Sequence, residues 1–116
     1  MEKELINSIE LSQDIMIREK SFKGCKINLC NKKTICIVIE QSSQNTLKCS
    51  IDDIDRLVGA QIYGLQHSML FTSKITEDDI PCWARVSLYT SKQSVEFYAV
   101  DAENIYSKDD VEIIFC

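Results

Sequence analysis

The chain has 116 residues, of which 45% are apolar and 27% charged, and its formal net charge is −5. This length predicts a single domain over residues 1–116, and the apolar content excludes a chain that is mainly disordered. The acidic balance argues against a general nucleic-acid binder, and no apolar run approaches the roughly 18 residues of a membrane span. With no basic segment and apolar core at the start of the chain, we expect a cytoplasmic protein that contacts neither membrane nor nucleic acid.

The first fifty residues predict a short helix and then a meander of three strands. Leu5, Ile6 and Ile9 recur near helical spacing, which predicts a helix over about residues 2–10 followed by an extended segment. From residue 25 apolar and polar side chains alternate, which indicates strands with one apolar face. With hairpin loops at Asn31–Lys33 and Ser42–Gln44, the residues predicted to face one another are Cys25, Ile39 and Leu47; Ile27, Ile37 and Cys49; and Leu29, Ile35 and Ile51.

The middle of the chain predicts a second short helix and then broken strand segments. Ser50 is a candidate cap, the aspartates that follow suit a helix N-terminus, and Gly59 is a candidate stop. Strand segments are predicted over residues 60–65 and 69–72, and residues 77–81 predict a loop because Pro81 disfavours helix at Ile80.

A second hairpin is predicted with its tip at Lys92 and Gln93, so that Val86 lies opposite Ala99 and Leu88 opposite Phe97. Residues 111–115 predict a last strand. Together these elements predict an α+β fold, an antiparallel sheet of six to seven strands built from hairpins and a meander, with one or two short helices.

Six cysteines in a small chain are typical of a disulfide framework, but no export signal is visible and the core needs no covalent support. We therefore expect reduced thiols that act as small buried hydrophobic side chains. A thiol enzyme would need a base, and His67 is the chain's one histidine. The two candidate pairings are therefore Cys82 with His67 and Cys36 with His67. No metal-ligand spacing or glycine-rich phosphate loop is present, so we expect no catalytic residues, no metal and no cofactor.

The acidic side chains are unevenly distributed. Residues 1–51 contain 6 acidic and 8 basic side chains, whereas residues 52–116 contain 12 and 5, so the net charges are +2 and −7. Eleven of the twelve acids of the second half form four clusters, which are Asp52, Asp53 and Asp55; Glu77, Asp78 and Asp79; Asp101 and Glu103; and Asp109, Asp110 and Glu112. If the clusters converge on one rim of the sheet, they form an acidic surface for a basic protein partner. The alternative role for these acids is solubility and helix capping.

The polar side of the second hairpin is a second candidate surface. It contains Trp83, Arg85, Tyr89 and Tyr98, residue types that are enriched at the energetic centres of protein interfaces. The alternative is that this face forms a second core covered by another layer of the fold.

The −7 half, with Asp52-Asp-Ile-Asp55, Glu77-Asp-Asp79 and Asp109-Asp-Val-Glu112, resembles the small bacterial immunity proteins that neutralise toxins of contact-dependent growth inhibition. The resemblance is one of overall type and involves no signature motif. It implies a non-enzymatic cytosolic inhibitor that binds a cognate toxin domain, in particular a nuclease, with carboxylates in the place of substrate phosphates. The alternatives are a phage-encoded inhibitor of a nucleic-acid-binding defence protein (an anti-CRISPR type), a small Cys/His enzyme, and an accessory domain of a larger complex. The oligomeric state is left open.

Overall fold

The computed structural model describes residues 4–70, 82–103 and 111–116. Within these residues the chain forms eight strands, which are β1 (Ile6–Ile17), β2 (Lys20–Leu29), β3 (Thr34–Glu40), β4 (Thr46–Cys49), β5 (Ile62–Leu70), β6 (Cys82–Thr90), β7 (Ser94–Val100) and β8 (Glu112–Phe115). They make two antiparallel four-stranded sheets, the first in the order β1-β2-β3-β8 and the second in the order β4-β7-β6-β5.

The two sheets pack their apolar faces against each other around one hydrophobic core. Alternate residues of each strand point inward, as the period of two along a strand requires. The buried residues are Ile6, Cys25, Ile27, Leu29, Ile35, Ile37 and Ile39 from the first sheet and Ile62, Val86, Leu88, Val95, Phe97 and Ala99 from the second. The architecture is therefore a β-sandwich.

The predicted α+β fold with a single sheet of six to seven strands is wrong. Residues 6–17, part of which we assigned to a helix, form β1, because their backbone pairs with β2 from Ile6↔Leu29 to Ile17↔Lys20. The second predicted helix, with Ser50 as its cap and Gly59 as its stop, is reduced to one 3-10 turn, Ile54–Leu57, whose N-cap is Asp53. Pairing with a neighbouring strand overrides a helical spacing that only a few apolar residues support.

Both predicted hairpins have the correct inward face but a register that differs by two residues. In the first, Cys25 pairs with Ile37, because the three-residue loop is Cys30–Lys32, with Lys32 at a φ of 69°. In the second, Val86 pairs with Phe97, since the hydroxyl of Thr90 accepts hydrogen bonds from the backbone N–H groups of residues 92 and 93 and closes a longer turn. A shift of two residues returns every side chain to the same face.

The predicted three-stranded meander is also wrong, since β4 belongs to the second sheet and pairs with β7, from Thr46↔Val100 to Cys49↔Phe97. The neighbour of β3 is β8, which confirms the predicted last strand. The break predicted at Gln66–Ser68 is absent, because Ile62–Leu70 form one strand, β5, whereas residues 71 and 72 of the second predicted segment lie outside the described residues. The loop predicted at residues 77–81 lies outside the described residues.

Gly24 lets the two sheets approach closely at the centre of β2. Its φ is +145°, and a Cβ atom there would lie 2.5 Å from the carbonyl oxygen of Ile37 and 2.8 Å from Cδ2 of Leu47, on the opposite sheet. Only glycine has no Cβ to make these contacts. No helix in the part of the chain that the structure describes is long and apolar enough to cross a membrane.

Candidate functional site

The outward face of the second sheet carries a continuous polar and aromatic surface. The strand register aligns one row across all four strands, consisting of Lys48, Tyr98, Arg85 and Ser68. The next row consists of Ser50, Glu96, Ser87 and Gln66, of which Ser87 is buried at 6% exposed. We call these eight residues, together with Tyr89, the polar face.

Side-chain contacts hold the polar face in place. Nη1 of Arg85 lies 3.4 Å from Oε2 of Glu96 on the neighbouring strand. The hydroxyl of Tyr89 donates a hydrogen bond of 3.1 Å to Oε1 of Gln66, and the Tyr89 side chain remains 39% exposed. Cross-strand pairs of this kind fix side chains before any partner arrives, which reduces the entropy lost on binding.

The three aspartates Asp52, Asp53 and Asp55 form an exposed acidic segment at one end of the polar face. Ser50 positions this segment, because its N–H donates to the carbonyl of Glu96 and its hydroxyl accepts from the Glu96 N–H, both at 2.9 Å. Beyond the aspartates, Nζ of Lys92 donates to the backbone carbonyls of residues 56 and 58 and ties the 3-10 turn to the β6–β7 turn. The acidic segment and the polar face are therefore contiguous.

The predicted convergence of the acidic clusters on one rim does not hold for the two that are described in full. Asp52 follows Ser50, which lies beside Glu96 near the start of β7, whereas Asp101 and Glu103 follow the end of that strand. At a rise of about 3.3 Å per residue, the two clusters are roughly 20 Å apart along β7. Glu77, Asp78, Asp79, Asp109 and Asp110 lie outside the described residues.

The predicted aromatic surface is present in part. Arg85, Tyr89 and Tyr98 lie on the outward face of β6 and β7, with Arg85 paired to Tyr98. The backbone of Trp83 lies in β6, but its side chain is outside the described part of the structure. Sequence reasoning missed Lys48 and Gln66, because it placed β4 beside β3 and interrupted β5 at residues 66–68. The signal that was available is the alternation of residues 46–49, which marks an outward Lys48 but does not reveal its sheet.

The thiol–imidazole pairing finds no support in the geometry. Nε2 of His67 donates a hydrogen bond of 3.1 Å to the carbonyl of Val111, which links β5 to the residue before β8. Cys36 lies on the outward face of the first sheet, where burial and then the neighbouring Cys116 raise the pKa of its thiol to about 11. A catalytic thiol of this kind needs a lowered pKa, so Cys36 is not an activated catalytic nucleophile at neutral pH. The Cys82 side chain is not described.

The expected burial of the thiols does not extend to Cys30 and Cys116. Cys25 and Cys36 are buried, and Cys49 is partly buried against the core, but Cys30 and Cys116 are exposed. Among the described residues, no group of three or more His, Cys, Asp or Glu side chains is arranged to hold a metal ion.

Comparison with known proteins does not identify a family for this chain. No protein-family model, no curated protein and no solved structure matches the chain. The polar face and the acidic segment are therefore the features of the molecule that bear on its function.

Proposed function

We propose that the chain is a non-enzymatic inhibitor that binds a basic protein through the polar face and the acidic segment of the second sheet. The observation that carries this proposal is the pair of hydrogen bonds between Ser50 and Glu96. These bonds join the acidic segment to the polar face, so that the two form one continuous area. An interface needs both a centre and a rim, and this area offers both.

The polar face supplies residue types that dominate binding energy. Tyrosine and arginine are enriched among the residues whose truncation costs most in interfaces, since each combines a large contact area with a polar group. Tyr89, Tyr98 and Arg85 lie on adjacent strands of one rigid sheet. A partner that covers them displaces water from two aromatic rings without reordering the backbone.

The acidic segment supplies electrostatic complementarity. Three exposed carboxylates within four positions attract a basic surface, and such steering acts mainly on the association rate. In the finer form of the proposal, the partner is a toxin domain, in particular a nuclease with a basic active-site cleft. The carboxylates then occupy the positions of substrate phosphates, while Arg85 and the tyrosines determine specificity.

The test begins with affinity capture from the native host by three forms of the tagged chain. These are the wild type, a double variant Arg85→Ala/Tyr89→Ala on the polar face, and Glu10→Ala on the outward face of the first sheet as control. We expect the wild type and the control to retain the same basic protein, identified by mass spectrometry, and the double variant to lose it. Retention by a double variant whose circular dichroism matches wild type would contradict the assignment of the polar face.

The captured protein then allows a kinetic test of the acidic segment. Asp52→Lys and Glu103→Lys each reverse one charge, at opposite ends of β7. Both substitutions leave Asp53, the cap of the 3-10 turn, unchanged. We expect Asp52→Lys to lower the association rate at low salt several-fold more than Glu103→Lys does. Equal rates for the two variants would exclude steering by the acidic segment.

The identity of the partner distinguishes the two inhibitor hypotheses. A toxin arrests growth when expressed alone and is neutralised when the wild-type chain is expressed with it, but not when the double variant is. A captured protein that binds nucleic acid without arresting growth would instead favour the inhibitor of a defence protein.

A further inference from the structure

Two cysteines lie next to each other on the outward face of the first sheet, away from the polar face. Cys36 is on β3 and pairs with Ile114 of β8, and Cys116 follows that strand and pairs with Thr34. The two backbone hydrogen bonds between Thr34 and Cys116 measure 2.9 and 3.2 Å. Because Thr34 and Cys36 are two residues apart on β3, Cys36 and Cys116 are diagonal neighbours on one face of the sheet.

The two thiols differ in their access to solvent. Cys36 is 1% exposed within a cluster that includes Phe22 and Val38, whereas Cys116 is exposed. A soluble oxidant can therefore react directly with the Cys116 thiol, whereas the Cys36 thiol is shielded from it. An accessible thiol beside a shielded one is the arrangement in which the first captures an oxidant and the second resolves the mixed disulfide.

We propose that Cys36 and Cys116 form a redox-active pair that a low-molecular-weight disulfide such as oxidised glutathione converts to an intramolecular disulfide. Deprotonated Cys116 attacks one sulfur of glutathione disulfide, forms a mixed disulfide and releases one glutathione thiolate, which takes up a proton. Deprotonated Cys36 then attacks the Cys116 sulfur and releases the second glutathione. The protein loses two hydrogen atoms, two glutathione molecules are formed, and the new S–S bond joins β3 to the segment after β8.

Bond formation needs a small adjustment of the backbone. Diagonal neighbours in a sheet are about 7–8 Å apart, which exceeds the roughly 7 Å between Cα atoms that a disulfide spans without backbone movement. Cys116 follows β8 directly after Phe115, and its two hydrogen bonds to Thr34 must lengthen or break for its backbone to move toward Cys36. The bridge fastens the edge strand β8 to the central strand β3 and leaves the second sheet unchanged.

The resolving step is expected to be the slower one. Burial is the main cause that raises the pKa of the Cys36 thiol, and it persists in the mixed disulfide, so the thiolate that must attack is scarce at neutral pH. The mixed disulfide at Cys116 should therefore accumulate before the bridge forms. Raising the pH from 7 to 8 should speed its conversion by about tenfold, since the thiolate fraction rises tenfold.

The experiment incubates the purified, reduced full chain with excess glutathione disulfide and quenches samples with acid. Non-reducing peptide mapping by mass spectrometry follows the products over time. We expect a glutathione adduct at Cys116 first and then a Cys36–Cys116 linked peptide that exceeds every other pairing by at least about tenfold. Hydrogen exchange should then show slower exchange across Glu112–Phe115 than in the reduced chain, with β5 unchanged.

Two variants serve as controls. Cys116→Ser should abolish the bridge, whereas Cys30→Ser, which removes the other exposed thiol among the described residues, should leave it intact. A stable adduct at Cys116 that never resolves would overturn the proposal, as would a Cys30–Cys116 bridge in place of the expected one. Since neither cysteine lies on the second sheet, this result is independent of the partner-binding experiments.

Discussion

The outward faces of the two sheets differ in composition, although their inward faces share one core. The first sheet buries a second hydrophobic cluster on its outward side, with Ile15, Phe22, Cys36 and Val38 all less than 8% exposed. The second sheet carries the polar face, where Tyr89 and both members of the Arg85–Glu96 pair contact solvent.

This difference separates a face that stabilises the fold from one that is available for binding. Apolar side chains removed from water contribute free energy to folding, roughly in proportion to the area buried. Exposed polar pairs contribute little to folding, because both partners are hydrated in the unfolded chain. Substitutions on the two outward faces should therefore differ in their effect on the free energy of unfolding.

The largest contrast is expected between two aromatic residues. Phe22→Ala should lower the free energy of unfolding by about 3 kcal/mol, because it removes a buried ring and leaves a cavity. Tyr89→Ala should lower it by less than about 1 kcal/mol, since that ring is 39% exposed. Urea titration of both variants measures the difference, and equal losses would contradict the division between the faces.

The next contrast uses one glycine from each sheet. Gly24→Ala should destabilise the chain by about 2 kcal/mol or more, because its Cβ would collide with the Ile37 carbonyl at a positive φ. Gly64→Ala has no atom within 4 Å of the added Cβ and should gain about 0.5 kcal/mol from reduced chain entropy. Thermal unfolding with matched protein concentrations tests both signs.

Alkaline pH should destabilise the first sheet through Cys36. Its thiol pKa rises from 9.0 to about 11 on folding, so between these values the unfolded chain loses a proton that the folded chain keeps. This contribution to stability is therefore complete well below pH 9 and falls as the pH rises toward 11, by on the order of 1 kcal/mol at pH 10. Burial and then Cys49 raise the pKa of the Cys25 thiol to about 12, so deprotonation of Cys25 in the unfolded chain lowers the free energy of unfolding further. Urea titrations at pH 7 and pH 10 should show a smaller difference for Cys36→Val than for wild type.

A smaller effect of opposite sign is expected at the β1–β2 turn of the first sheet. Arg18 and Glu19 adopt φ values of 49° and 69°, which is the two-residue type I′ geometry that favours Asn-Gly. The double substitution Arg18→Asn/Glu19→Gly should raise the free energy of unfolding by about 1 kcal/mol by relieving this strain. No increase in the urea midpoint would show that the turn is not a source of strain.

The smallest effect on stability is expected at the ion pair of the polar face. Arg85→Ala should change the free energy of unfolding by about 0.5 kcal/mol or less, since both side chains are partly exposed and the contact is 3.4 Å long. The same variant should weaken partner binding at least about tenfold if the polar face is the centre of the interface. A stability loss comparable to that of Phe22→Ala would reassign Arg85 to a structural role.

The sequence predicted local properties more reliably than strand partners. The alternation at Cys25, Ile27 and Leu29 correctly identifies the inward face, and residues 111–115 contain the predicted last strand. The register of both hairpins differs by two residues, since it depends on where each turn closes. A one-residue displacement of the first loop, from Asn31–Lys33 to Cys30–Lys32, is sufficient to produce that difference.

The sequence predicted individual residues of the candidate site but not the strands that bring them together. Arg85, Tyr89 and Tyr98 were placed on one face because all three belong to a single hairpin. Lys48 joins them only because β4 crosses to the second sheet, and the contact of Ser50 with Glu96 depends on the same crossing. Nothing local to β4 specifies this, because its inward side packs against the same core in either sheet.

By itself, the sequence determined the apolar alternation, the excess of acid in residues 52–116 and the residue types that each strand presents outward. The physical reason is that these are properties of short segments with a fixed period of two. Only the tertiary structure decided that the residues with helical spacing near the start form strand β1. It also decided that the acidic segment borders the polar face and that Asp101 lies at the far end of β7. Such outcomes depend on pairings between distant residues, whose stability comes from the assembled sandwich and not from any one segment.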